Sequence, residues 1–208
     1  MTNTDICNMA LGKLGASRIK SLANTSENTP EAIQCRLHFE QTRDALIRSH
    51  WWRFASARAA LTENSSSPDF EFDNQFDLPD DFMRLKSVWD GVDHRNTRVT
   101  FGMEGDLLLT NSDSIDLRYI KKVTDPTKFD SLFVEVLILK LAIKLVSPLA
   151  GGAPKLLQVL GTELQLIMPS VRALDRQETN NVGRNDNPSW NDARFSSGGA
   201  RIASQLGG

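Results

Sequence analysis

The chain has 208 residues, 40% of them hydrophobic, and its 24 basic and 26 acidic side chains leave a net charge of −2. That length fits one large domain or two small ones, and the apolar fraction suffices for a core, which excludes a chain disordered throughout. Near-neutral charge and a sequence pI near 5.9 argue against a dedicated nucleic-acid binder while leaving room for a local basic patch.

The N-terminal MTNTDICNMALGKLGAS lacks the basic start and long apolar run of a secretory signal. Residues 4–15 read as a first helix, with Ile6, Met9, Ala10 and Leu14 at helical spacing and Gly15 as a stop. A polar loop follows. Thr29-Pro30-Glu31 then opens a second helix: the threonine caps, the proline takes the first helical position, and the acid faces the positive helix end. Cys35, Phe39, Leu46 and Ile47 share its apolar side, with Arg36, Arg43 and Arg48 pointing elsewhere. The helix is expected to run to Ser56, through His50-Trp51-Trp52-Arg53-Phe54.

Ser65-Ser66-Ser67-Pro68 breaks that pattern. Asp69–Leu78 alternates apolar and polar residues, Leu78-Pro79-Asp80-Asp81 is a turn, and Phe82–Asp90 reads as a strand. Asp90-Gly91 and Gly102–Gly105 mark further turns, with short strands at Arg98–Phe101, Asp106–Thr110 and Ile115–Ile120. Short strands between frequent turns predict an antiparallel meander or small sandwich, its edges guarded by Lys86 and Lys121-Lys122.

Helices return at Asp130, where Asp130 or Ser131 caps a nearly all-apolar segment ending at Ser147-Pro148. A helix that apolar must be buried on most sides. Its longest apolar run, Leu132–Val146, is interrupted by Glu135, Lys140 and Lys144 and falls short of the roughly 20 residues of a membrane span. The expectation is a soluble protein made in the cytoplasm. The last helix, Lys155 to about Glu178, carries Leu156, Leu160, Leu164, Ile167, Val171 and Leu174 as one stripe, with a kink expected at Pro169. From Thr179 the chain is polar and glycine-rich, with Trp190, Phe195, Ile202 and Leu206 as spaced anchors and Arg184, Arg194 and Arg201 forming no run. Such a tail is either a disordered end or an arm that orders on a partner.

The reading is therefore α+β: a four-helix bundle from residues 1–60 and 124–178, an inserted antiparallel β domain at 61–123, and an extended C-terminal arm at 179–208. Motifs for nucleotide, metal or acyl-transfer chemistry are absent. His38, His50 and His94 lack metal-ligand spacing and read as surface or helix-end histidines. Cys7 and Cys35 read as buried free thiols in a reducing compartment, a disulfide being the lesser alternative. The acidic run Asp69, Glu71, Asp73, Asp77, Asp80 and Asp81 lacks the glycine-centred spacing of a calcium loop and reads as a solvated face; its carboxylates are the candidates for a tail-borne cell-wall hydrolase. The segment from His50 to Phe54, with Arg58, mixes bases and aromatics in a way that suits single-stranded nucleic acid, but aromatics at a helix end more often anchor it.

Several segments together resemble a known family. ICNMALGKLGASRIKSL, RDALIRSHWWRFASARAAL, FDLPDDFMRLKSV, LLLTNSDSIDLRYIKKVTDPTKFDSLFVEVLILKLA and a final helix ending ALDRQE follow one another in the order found in the tail tubular protein A family of short-tailed bacteriophages. The resemblance covers most of residues 5–178 and rests on core and turn patterns. It implies a non-enzymatic virion protein without cofactor or metal, a dodecameric adaptor ring between portal protein and tail nozzle protein. Double-stranded DNA would pass through its lumen without sequence-specific contacts, and no membrane would be involved. It also implies that Arg184, Trp190, Arg194, Phe195, Ile202 and Leu206 lie on an arm that clasps the portal or a neighbouring subunit. A head-completion or connector protein of another tailed phage is the close alternative.

Overall fold

Two capped helices open the chain. Thr2 and Asp5 form a reciprocal capping box on α1 (Asn3–Leu14), and Gly15 closes it in the left-handed conformation, φ 68°. The Thr29 side chain caps α2 (Pro30–Ser49) by accepting from the Ala32 amide, with Pro30 in the first turn. These details belong to a computed structural model that describes residues 1–91 and 99–179. The protein is mixed α+β: among the described residues the chain forms four α-helices and two antiparallel three-stranded sheets.

After α2 come β1 (Ser56–Ala60), β2 (Asn74–Asp77), β3 (Phe82–Trp89), β4 (Phe101–Glu104), β5 (Leu107–Thr110) and β6 (Asp116–Lys121). The chain then returns to helix in α3 (Ser131–Leu149) and α4 (Pro154–Thr179). One sheet has the order β1-β6-β3, the other β2-β5-β4. Ala57, Ala59, Leu85, Val88, Leu117 and Tyr119 of the first sheet and Phe76 and Leu108 of the second enclose one apolar cluster. A second, larger core joins all four helices, with Ile120 and Val123 reaching it from the end of the first sheet.

The all-apolar segment sits where its composition requires. Asp130 caps α3 by accepting from the Leu132 amide at 2.8 Å. Ten of its residues, from Phe133 to Val146, are buried, and it packs against α1, α2 and α4. A helix touched on three sides has no wide polar face left, which is why its sequence shows none. On α4, Leu160 and Val171 are buried and Leu156, Leu164 and Ile167 pack on the core, as the stripe predicts. Leu174 falls outside the described side chains. The chain stays helical through Pro169 and on to Thr179.

Several expectations fail in instructive ways. Helix α2 stops at Ser49, not Ser56: His50 turns extended, and Ser49 Oγ and the Trp52 indole N–H both donate to the Leu46 carbonyl, satisfying one of the free carbonyls of the last turn. Residues 56–60 then form β1, inside the span assigned to helices. The Asp69–Leu78 alternation yields a strand only at Asn74–Asp77. Glu71 has a φ of 73°, which no strand residue adopts, and Phe70 is 79% exposed. The strand expected at Arg98–Phe101 is β4, Phe101–Glu104, so Gly102 lies in a strand and the turn is at Gly105-Asp106. Lys121 guards no edge, because β6 is the central strand. Arg43, expected to point away from the core, is 2% exposed, and Met9 is exposed where burial was expected.

Candidate interaction surface

The run His50–Phe54 divides between core and surface. Trp52 is buried, its indole N–H held by the Leu46 carbonyl at 2.9 Å and its ring edge-on to Phe133 at 5.1 Å. Phe54, Phe129 and Phe133 pack around the same point, so these aromatics lock the end of α2 to the start of α3. Trp51 is half-buried at the margin of the same core. The Arg84 guanidinium stands over its ring at 4.1 Å, Lys86 Nζ is 5.6 Å away, and Arg84 Nη1 donates to the Arg48 carbonyl at 3.2 Å.

Strand register extends this surface. Arg58 pairs with Arg118 across β1 and β6, Arg84 pairs with Ile120, and Trp89 with Asp116. Paired residues share a face. Arg58, Arg84, Arg118 and Trp89 therefore lie on the face opposite the apolar side chains of Leu85, Val88, Leu117 and Tyr119. The Arg118 guanidinium sits 5.0 Å over the Trp89 ring. Arg58 is exposed; Arg84, Lys86 and Arg118 are half-buried. Sequence reading found Trp51 and Arg58 but not Arg84, Lys86 or Arg118, because only β pairing joins segments so far apart in the chain.

Several of the other candidates hold structural contacts. Asp81 accepts from the Tyr119 hydroxyl at 2.8 Å, and Asp77 from Asn64 at 2.8 Å. The Asp73 amide donates to Asn111. The first two bonds tie loops to strands and the third joins two loops; among the described residues no group of three or more His, Cys, Asp or Glu side chains could hold a metal ion. Burial and the bond to Asp81 push the Tyr119 hydroxyl up to about 12. Cys7 and Cys35 are free and buried, as expected. The hydrogen bond with Cys35, then burial, pushes the Cys7 thiol well up, so its thiolate is disfavoured. Asp44 bridges the buried Arg43, at 2.7 Å, and Lys122, at 3.2 Å, linking α2 to the chain after β6.

Apolar side chains also remain outside both cores: Ile33 and Leu37 one turn apart on α2, and Val159 and Leu166 two turns apart on α4. No helix among the described residues is long and apolar enough to cross a membrane. His94 and the tail residues Arg184, Trp190, Arg194, Phe195, Ile202 and Leu206 lie outside the described residues. Compared with known proteins, the chain matches no family model and no curated protein.

Proposed function

We propose that this chain is a structural, non-enzymatic subunit of a phage head-to-tail adaptor. Copies would assemble as a ring, of twelve if the family pattern holds, between portal and nozzle proteins, with duplex DNA passing through the lumen. The observation that carries this reading is the ordered run of segments from Ile6 to Glu178 that resembles the tail tubular family. The chain order supports it: helices α1 and α2, then both sheets, then α3 and α4 returning to the same core, the order expected of the bundle with an inserted β domain that the resemblance implies. The uncovered apolar pairs on α2 and α4 supply two different surfaces, as a heterologous ring contact needs. On this reading the residues after Thr179 form an arm that orders on the portal or a neighbouring subunit.

Light scattering of the purified protein, alone and mixed with the portal protein of the same phage, tests the proposal. The expected outcome is a ring-sized species, or a complex that forms only with portal. Removing Asn180–Gly208 should leave a folded protein that no longer docks. A monomer indifferent to portal sinks the adaptor reading, and normal docking by the truncated chain sinks the arm.

A further inference from the structure

We propose that the cation-bearing face of the β1-β6-β3 sheet, beyond the end where Ile120 enters the helical core, binds the phosphate backbone of duplex nucleic acid. The inference rests on the side chains of that sheet and holds whether or not the chain forms a ring. Four cations, Arg58, Arg84, Lys86 and Arg118, gather on one side of three strands in a chain whose net charge is −2. Arg58 and Arg118 stand directly opposite each other on neighbouring strands, an arrangement that destabilises a sheet unless an anion offsets it. Among the described residues no carboxylate pairs with any of the four. The acids closest along the strands are Asp116, exposed on the same face one position beyond the opposed Arg58 and Arg118 and in no ion pair with either, and Asp90, which follows Trp89.

The two tryptophans decide between bases and phosphates. Arg84 lies over Trp51 at 4.1 Å and Arg118 over Trp89 at 5.0 Å, so a guanidinium already occupies a ring face on each. Stacking on a ring fixes an arginine's plane and leaves its N–H edge to donate, which suits a phosphate oxygen. A ring so covered offers less to an unstacked base, so the surface fits the regular charge of a duplex better than a single strand.

Anisotropy of a labelled mixed-sequence DNA duplex, titrated with the full chain, tests this. Binding is expected at low salt, weakening roughly 100-fold between about 50 and about 200 mM salt if some four phosphates are neutralised. Arg58→Gln and Arg118→Gln should each weaken binding and lower the salt slope by about 1. Lys155→Gln, at an exposed position on α4, should change neither. Misfolding is separable: neutralising one of two opposed arginines should leave the melting temperature unchanged or raised. The proposal is overturned by no binding at low salt, or by equal losses in Lys155→Gln. Tighter binding of the same sequence as a single strand, or of poly-glutamate, would overturn it too.

Discussion

At the residue scale, two polar contacts are open to direct measurement. Tyr119 is the single tyrosine of the chain, so alkaline absorbance titration reports it alone. In the folded protein it should ionise near 12, against about 10 when unfolded. Because the folded value is the higher, its stabilising contribution is fully present below about pH 10 and is lost as pH rises towards 12. Tyr119→Phe should lose that part of the alkaline dependence, and an ionisation near 10 in the native state would contradict the buried bond to Asp81. The second contact is Asp44. Its removal in Asp44→Ala leaves the Arg43 guanidinium, 2% exposed, without its carboxylate. A cost of about 3 kcal/mol in denaturant unfolding is expected, in the range for an orphaned buried charge. The cation–π contact to Phe39, at 5.9 Å, is too long to compensate fully.

At the element scale, α3 gives the helical core more buried residues than any other helix. Leu137 is fully buried on it, between helices rather than at a margin. Leu137→Ala should cost about 2–5 kcal/mol, read by denaturant midpoint with an unchanged slope. The exposed Lys13–Glu163 pair between α1 and α4 should matter little by comparison, under about 1 kcal/mol. The caps and the apolar spacing of the helices were legible in the sequence because each signal lies within a few residues: Thr29 with Pro30, Asp130 with Leu132, Gly15 after Leu14. The end of α2 was not legible. Helical spacing continues past Ser49, and what stops the helix is a tryptophan folding back on Leu46 and a segment recruited into β1 by β6, distant in sequence.

At the scale of the whole molecule, the two cores and the chain order define what partners can reach. The helical core is closed around α3, while apolar side chains on α2 and α4 and a cationic sheet face stay outside. On the adaptor reading the former meet neighbouring subunits; the latter is assigned independently to phosphate. The two assignments fail separately: portal mixing tests one, and duplex titration tests the other.

By itself the sequence determined the alternation of helical and strand regions, the burial of α3, the cysteines' burial and the absence of familiar catalytic motifs, since each depends on composition or on spacing within one element. Only the tertiary structure decided that Trp52 is fully enclosed while Trp51 stays half-buried beneath Arg84, that Arg43 is buried, and that Arg58, Arg84 and Arg118 share a face. The reason is physical. Helical periodicity is a property of residues one turn apart, whereas strand register joins segments tens of residues apart, and a one-residue change of register sends every side chain to the other face.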